Sequence, residues 1–372
     1  MSGPLLGLRI VEMAGIGPGP FAAMMLADHG AEVIRIERPW SSSDPDAALG
    51  RSDASDPVMR SRVVLELDLK CPDDVVKLRA LLGTADGLIE GFRPGVMERL
   101  GLGPDVLLAD NPLLVYGRMT GWGQTGPMAS VAGHDINYIA VAGVLGAMGR
   151  SGEPPVPPLN VVGDYGGGGM LLAFGMVAAL LAVRNGGKGQ VIDCAIADGS
   201  ALLMAKMWGA RARGGWREQR GSNLIDSGAP FYDAYETADG QFVAIGAIEA
   251  KFYALLRDRL GLADDPELDI RDDRSLWPRQ KAKFAEAVRR RTRDELCEIF
   301  AGLDACVAPV LTLSECLQHP YHVARQTFLT VNGISQPAPA PRYSATPCSQ
   351  PAEASRPRTN EWFEAQGIPL TN

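Results

Sequence analysis

The first forty residues constrain the fold most strongly. The apolar run LRIVEMA (8–14) leads through the turn GIGPGPF (15–21) into a helical pattern, and a second apolar run, EVIRIER (32–38), follows. A strand, a glycine-rich turn, a helix and a second strand form the unit from which nucleotide-binding α/β folds are built. Strand-like and helical segments keep alternating to about residue 120, which predicts a mostly parallel sheet with helices on both faces.

The glycine-rich turn fits a dinucleotide fingerprint poorly. Gly15 and Gly17 match the first two glycines of G-x-G-x-x-G, but Pro20 stands in the third position and Pro18 lies inside the loop. Each proline removes a backbone N–H that a pyrophosphate would bind. An NAD-dependent oxidoreductase is therefore the weakest of the functions that this opening suggests.

Composition is that of a folded globular protein. The chain has 372 residues, enough for two domains, and a net charge of −8, which argues against non-specific nucleic-acid binding. The first residues lack the pattern of a secretory signal, so we expect a cytoplasmic protein with reduced thiols. The apolar stretch 170–183 is shorter than the ~20 residues of a membrane span, which favours a buried helix and no membrane partner. Its six cysteines show no C-x-x-C spacing, so no metal site is expected.

The domain organisation follows from a change in composition near residue 209, where the sequence becomes polar and rich in glycine. We predict a large Rossmann-like α/β domain over 1–208, completed by about 325–372, and a linker over 209–228. The alternation FYDAYETADGQFVAIGAI (231–248) contains a hairpin turn and opens a smaller α+β domain over 229–304. Residues 305–325 are predicted to form the return linker.

Three polar clusters could carry chemistry: GHDINY (133–138), GDYGGGGM (163–170) and GAIEAKFY (246–253). His134 is a potential acid or base, although its surroundings equally suit a helix cap. Asp164 precedes four glycines, which would let a ligand approach the backbone and could present N–H groups at a helix start, or it caps a flexible turn. Glu249 sits where first-turn glutamates are common, so spacing alone favours a structural role.

Isolated arginines recur near predicted strand ends, where open α/β sheets bind their ligands. Several converging guanidinium groups would suit a polyphosphate, whereas any one of them is equally typical of a solvated surface. The four arginines of interest are Arg38, Arg62, Arg93 and Arg99.

Taken together, these segments resemble the family III CoA-transferases. The resemblance rests on GPGPFAAMMLADHGAEVIRIERP, EGFRPGVMERLGLGP, TGWGQTGP, GHDINY, PPLNVVGDYGGGGM, GKGQVIDCAIADGS and GAIEAKFY, which cover nearly the whole chain. GHDINY and GAIEAKFY together point to the α-methylacyl-CoA racemase branch. The resemblance implies an interlocked homodimer whose active sites lie between the large domain of one subunit and the small domain of the other.

The resemblance also implies roles for individual residues. His134 and Asp164 would exchange the proton, and Glu249 of the partner subunit would orient His134. The residues implied in holding CoA are Arg38, Arg62, Arg93, Arg99, Ile16 and Gly17. Those implied in supporting the site or stabilising an oxyanion are Gly166, Gly167, Asp135, Tyr138 and Asn160. CoA is then part of the substrate, and no separate cofactor is expected.

The implied reaction is the interconversion of (R)- and (S)-2-methylacyl-CoA through an enolate, by 1,1-proton transfer. Branched fatty acyl, sterol side-chain and aryl-propionyl thioesters all remain open as substrates. The main alternative is a CoA-transferase in which the Asp164 carboxylate is the nucleophile and forms an anhydride and then an aspartyl-CoA. A non-catalytic acyl-CoA-binding protein is the third possibility.

Overall fold

The structure is a computed structural model, which describes residues 2–39 and 55–368. The chain divides into two compact units. Of the described residues, the first contains 2–39, 55–142, 159–203 and 323–368, and the second contains 143–158 and 204–322. The sequence assigned 143–158 to the large domain, whereas the structure groups this segment with the second unit. Residues 369–372, the end of the predicted completing segment, lie outside the described residues.

The strands and helices alternate through the first half of the chain, as the sequence predicts. The strands are β1 (Arg9–Met13), β2 (Glu32–Glu37), β3 (Arg62–Glu66), β4 (Gly87–Glu90), β5 (Val115–Thr120), β6 (Gln190–Ala195), β7 (Tyr232–Glu236), β8 (Phe242–Gly246), β9 (Val307–Pro309), β10 (Phe328–Val331) and β11 (Ile334–Pro337).

The helices vary widely in length. They are α1 (Pro18–Asp28), α2 (Pro72–Leu82), α3 (Val96–Arg99), α4 (Pro104–Asp110), α5 (Asp135–Val141), α6 (Val144–Ala147), α7 (Leu171–Arg184), α8 (Ile196–Leu203), α9 (Ala205–Ala212), α10 (Ala250–Leu260), α11 (Trp277–Arg289), α12 (Arg293–Phe300), α13 (Leu313–Gln318), α14 (Pro320–Arg325) and α15 (Thr359–Ala365). A π-helix (Val161–Met170) runs directly into α7, and 3-10 turns occur at Pro57–Met59 and Pro266–Asp269.

The first unit is built on a six-stranded parallel sheet in the order β3-β2-β1-β4-β5-β6. The chain moves outwards from β1 through β2 to β3, then crosses back to pair β4 with the other side of β1. The carboxyl ends of β1 and β4 therefore form the switch point at which such folds bind ligands. The predicted Rossmann-like α/β fold is confirmed for this unit.

The apolar stretch 170–183 forms a longer helix than its length suggested. The π-helix and α7 together form the continuous helix Val161–Arg184, whose length and composition would allow it to cross a membrane. One face of α7, including Leu172 and Met176, is buried in the core of the sheet unit. The opposite face is exposed, so the prediction of a buried helix is correct for only one side. A core helix of this kind passes the same length and composition test as a membrane span.

The second unit contains the predicted hairpin. Strands β7 and β8 pair in antiparallel register, with the turn at residues 237–241, and β9 joins β8 as a third strand. Helices α10, α11 and α12 supply apolar side chains such as Leu256, Phe284 and Leu296 to a separate core. Strand and helix thus share one core, which is the α+β arrangement expected from the sequence.

Candidate active site

An open pocket of about 460 Å³ lies at the switch point of the parallel sheet. It is lined by the loop after β1, the segment after β4, the end of β5, the loop before α5 and the π-helix. The predicted residues that line it are Ile16, Arg93, His134, Asp135, Tyr138 and Asp164. The structure therefore brings two of the three polar clusters of the sequence together.

His134 stands immediately before α5, at its N-cap. Its backbone N–H donates to Oδ1 of Asn137 at 3.0 Å, which fixes the start of the helix. Its side chain is exposed and faces the pocket. Asn137 thus supplies the helix-capping hydrogen bond that the sequence suggested, and the imidazole of His134 lines the pocket.

Asp164 lies in the π-helix and is half-buried. Its backbone N–H donates to Oδ1 of Asp135 at 2.7 Å, and Nδ2 of Asn160 lies 3.4 Å from its Oδ2. Burial, the largest influence, raises the pKa of Asp164, and the Asp135 carboxylate raises it further. The Asn160 hydrogen bond and the charge of His134 lower that pKa, but burial prevails. A carboxyl with a raised pKa is suited to giving up and taking back a proton.

Gly17 explains how Asp164 can be enclosed. Its φ of 70° lies in the left-handed region, and a Cβ at this position would lie 2.9 Å from Oδ2 of Asp164. The absence of a side chain therefore lets the loop after β1 lie directly against the carboxyl group. Pro18, the next residue, begins α1, which suits a proline because the first helical N–H has no partner in the helix.

Tyr138 supports the loop that carries His134. Its hydroxyl donates to the carbonyl of Gly133, and its ring meets the Trp122 ring edge to face at a centroid distance of 4.8 Å. A side chain at Gly121 would overlap the Tyr138 ring, with its Cβ only 2.1 Å from Cε1. Burial, followed by the charge of Asp164, raises the pKa of Tyr138. These contacts make Tyr138 a supporting residue.

The glycine run after Asp164 forms neither the ligand-approach site that the sequence suggested nor the flexible turn that was its alternative. Gly166 and Gly167 lie inside the π-helix, past its first turn, and neither lines the pocket. A Cβ on Gly167 would lie 2.6 Å from Oγ of Ser200 in α8, and one on Gly168 would lie 2.9 Å from Pro18 in α1. The glycines therefore allow the π-helix, α8 and α1 to pack closely. The expectation that Gly166 and Gly167 stabilise an oxyanion loses its basis, because both lie away from the pocket lining.

The four arginines divide into different groups. Arg93 is exposed and lines the pocket, and Arg38 lines an adjoining pocket of about 410 Å³ together with Lys70 and Leu100. Arg99 is exposed on α3 but lines neither pocket.

The prediction that Arg62 holds CoA is wrong. Its side chain has no solvent exposure, and Nε lies 2.9 Å from Oε2 of Glu12, which is equally buried. Its two other nitrogens donate to the carbonyls of Arg60 and Pro20, so a ligand cannot reach it. Arg62 opens β3 and does not follow a strand, and this position was the available signal.

Sequence reasoning missed three residues of the pockets. Phe92 lies between the two pockets, Thr120 ends β5 in the first, and Lys70 lies in the second. All three stand at or after the carboxyl end of a strand, which was the signal available in the sequence. Across residues 2–39 and 55–368, no group of three or more His, Cys, Asp or Glu side chains could hold a metal ion.

Glu249 belongs to the second unit, where it stands at the N-cap of α10, directly after β8. Its side chain is exposed and makes no capping hydrogen bond. Its charge, together with burial as the larger cause, raises the pKa of the Cys306 thiol. Glu249 is therefore available to a partner outside its own helix.

Comparisons with known proteins identify the family of the chain. Residues 5–361 match the family described as CoA-transferase family III. Mouse alpha-methylacyl-CoA racemase is 48% identical over 344 residues, covering 92% of this chain and 87% of the mouse protein. The human alpha-methylacyl-CoA racemase is 46% identical over the same shares of both chains. The crystal structure of a CAIB/BAIF family protein from Brucella suis covers 100% of both chains with a TM-score of 0.81 and 25% identity.

Proposed function

The chain belongs to CoA-transferase family III, and from this premise we propose that it interconverts (R)- and (S)-2-methylacyl-CoA thioesters. It is an isomerase, in keeping with two relatives, 46% and 48% identical, that are named alpha-methylacyl-CoA racemase. The observation that carries the proposal is the placement of His134 and Asp164 on one pocket at the sheet's switch point. Racemisation needs two proton-carrying groups at one carbon, and these two side chains supply them.

The reaction proceeds in two proton transfers. One of the two side chains removes the proton from C2, and the electron pair of the C–H bond passes into the thioester carbonyl to give an enolate. The other, in its protonated form, then returns a proton to the opposite face of C2. An imidazole can take up or release a proton near neutral pH. Burial gives the Asp164 carboxyl the raised pKa that the same task requires.

The enolate oxygen lies at the start of α1 in this proposal. The loop residue Gly17 contacts Asp164, and α1 begins at the following residue, so the helix N-terminus adjoins the carboxyl group. Pro18 and Pro20 lack an N–H, so the donor that the first three residues of α1 offer is that of Gly19, together with the partial positive charge of the helix N-terminus. We prefer this position to the glycine run, because Gly166 and Gly167 do not line the pocket.

CoA occupies both pockets in the proposal. Arg93 contacts the thioester half of the substrate, since it shares a pocket with His134 and Asp164. Arg38 and Lys70 place two cations on the adjoining pocket, beside the apolar side chains of Phe92 and Leu100. Such a surface suits a nucleotide, whose base packs on apolar groups while its phosphates meet cations.

The proposal includes a homodimer in which Glu249 of one subunit orients His134 of the other. The Glu249 side chain is exposed and makes no capping hydrogen bond. A carboxylate beside an imidazole fixes the orientation of the ring and stabilises the protonated form of the ring. A second copy of the chain also accounts for the exposed apolar stripe on the continuous helix. The stripe contains Met170, Phe174, Val177 and Leu181, and Phe174 is 71% exposed.

The experiment that tests the reaction is incorporation of deuterium from solvent at C2 of a 2-methylacyl-CoA. We expect His134→Ala and Asp164→Ala each to lose exchange of at least one enantiomer by roughly 10²- to 10⁴-fold. Asp105→Asn is the matched control, since this aspartate is exposed on α4 and lies outside the pocket. Full exchange of both enantiomers by either alanine variant would refute the two-base reaction.

The transferase alternative uses the same carboxylate as a nucleophile. It predicts a strict need for a free acid co-substrate and an acyl-enzyme that hydroxylamine traps at Asp164. The family match is consistent with it. The raised pKa of Asp164 does not separate the two reactions, because a carboxylate has to be ionised both to attack a thioester and to remove a proton. The two relatives named alpha-methylacyl-CoA racemase favour the proton-transfer reaction. Trapping at Asp164 without deuterium exchange would decide for the transferase.

A further inference from the structure

A buried ionic cluster lies beneath the loop that encloses Asp164. Glu12 on β1 pairs with Arg35 on β2 and with Arg62 on β3, and none of the three side chains is exposed to solvent. Arg35 also pairs with Glu37, at 2.9 Å. Burying charged groups costs free energy unless ion pairs and further hydrogen bonds compensate. The N–H groups of Arg35 and Arg62 that do not bind carboxylates therefore need other acceptors.

Two of the remaining donors point at the ends of the segment Gly15–Pro20, and a third, Nη1 of Arg62, donates to the Arg60 carbonyl. Nη2 of Arg35 donates to the carbonyl of Gly15 at 3.3 Å, and Nη2 of Arg62 donates to the carbonyl of Pro20 at 2.5 Å. Between these anchors lies Gly17, whose missing side chain allows the loop to touch Asp164. The two prolines of the loop carry no N–H, so anchoring through carbonyl oxygens is the route left at those positions.

We propose that Arg62 and Arg35, both held by Glu12, are positioning residues that clamp the segment Gly15–Pro20, the loop after β1 with the first residues of α1, against Asp164. They touch no substrate, since both guanidinium groups lie under the loop. A loop that lifted would hydrate the Asp164 carboxyl and widen the gap between it and C2. The catalytic part of this inference rests on the proposed function, whereas the clamping of the loop does not.

Lysine in place of Arg62 tests the clamp. A lysine keeps the positive charge beside Glu12, but its single nitrogen cannot serve Glu12 and the Pro20 carbonyl in the fixed fork geometry of a guanidinium. Arg60→Lys is the matched control. Arg60 is also buried and paired with a carboxylate, Asp28 at the far end of α1, and its further side-chain bonds go to Gln336 and the Pro337 carbonyl and not to residues 15–20.

Two measurements on the full-length protein separate the possibilities. In hydrogen exchange, we expect the peptide spanning residues 14–25 to exchange faster in Arg62→Lys than in Arg60→Lys. In C2 deuterium exchange, we expect kcat of Arg62→Lys to fall roughly 10- to 100-fold with little change in KM, because a small misplacement at the reacting groups has effects of this size. Arg60→Lys should lose comparable stability and keep a near wild-type kcat.

Equal hydrogen exchange of the loop in both variants would overturn the clamp, even if the wild-type protein is a racemase. Faster loop exchange with unchanged kcat would overturn the positioning role. If the wild-type protein exchanges no C2 proton, the proposed function fails, and the hydrogen-exchange contrast still decides the clamp. Should Arg62→Lys fail to fold, Arg35→Lys tests the Gly15 end of the loop against the same control.

Discussion

The side chain of Asp135 accepts the backbone N–H of Asp164 at 2.7 Å, across 29 positions of the sequence. This hydrogen bond joins the start of α5, which carries His134, to the π-helix, which carries the second proposed base. The Asp135 carboxylate therefore links the two elements that hold the proton-carrying groups. Asp135 acts on Asp164 in two ways, by holding its backbone and by adding a negative charge nearby.

Replacing Asp135 with asparagine separates these two effects. The amide oxygen can still accept the Asp164 N–H, but the negative charge is lost, so we expect the pKa of Asp164 to fall. In the direction in which Asp164 donates its proton, activity disappears as pH rises through that pKa. The loss should therefore begin at lower pH in Asp135→Asn than in the wild type, measured as initial rates on each enantiomer. Superimposable pH profiles would contradict the charge effect.

Replacing Gly17 with alanine tests the contact between the loop and Asp164. The new Cβ would lie 2.9 Å from the carboxylate oxygen, so the loop or the carboxyl must move. We expect kcat for C2 exchange to fall roughly 10- to 100-fold. Gly101→Ala is the matched control, since Gly101 has the same φ of 70° and open space where a Cβ would be. Both variants carry the same backbone strain, of about 1 kcal/mol or more, so a difference in their activities reports the contact with Asp164. We expect Gly101→Ala to keep its activity.

Replacing Asp164 with asparagine should stabilise the protein at neutral pH. Burial raises the folded-state pKa of Asp164, so its stabilising contribution is complete below the unfolded pKa and is lost as pH rises through the folded one. The neutral amide avoids that loss. We expect a higher Tm than wild type near pH 7, with the difference shrinking as the buffer becomes acidic. A difference in Tm that stays constant from acidic to neutral pH would show that ionisation of Asp164 has no part in it.

A shared active site can be tested with hybrid dimers. Asp164→Ala and Glu249→Ala chains, each of low activity alone, are expressed together because interlocked subunits would not exchange after folding. In a hybrid, one site carries both substitutions and the other carries neither, so about a quarter of wild-type activity should return if chains pair at random. If each subunit holds a complete site, every site keeps one lesion and no activity returns.

Much of the fold could be predicted because local patterns determine it. The alternation of apolar runs and amphipathic segments indicated the parallel sheet, and the turn near Asp239 indicated the β7–β8 hairpin. The site was predictable to the extent that its residues follow strands or begin helices, as Arg93 and His134 do. What failed depended on tertiary contacts. Four glycines in a row suggest a loop, and only the approach of α8 and α1 explains why they lie in a helix.

The same limit applies to the arginines. In sequence, Arg62 stands just before an apolar run and Arg93 just after one, and this position is the local difference between them. Their solvent exposure differs because Arg62 pairs with the buried Glu12 of β1, whereas Arg93 reaches solvent. Pairing between strands distant in sequence cannot be read from a single chain without its register.

The continuous helix Val161–Arg184 carries Asp164 near one end and the exposed apolar stripe along the rest. In the proposed homodimer, one helix holds both the surface that a second copy covers and the carboxyl group that exchanges the proton. A change that alters how the stripe is covered is expected to change the rate at the distant carbon, without touching any group that meets the substrate.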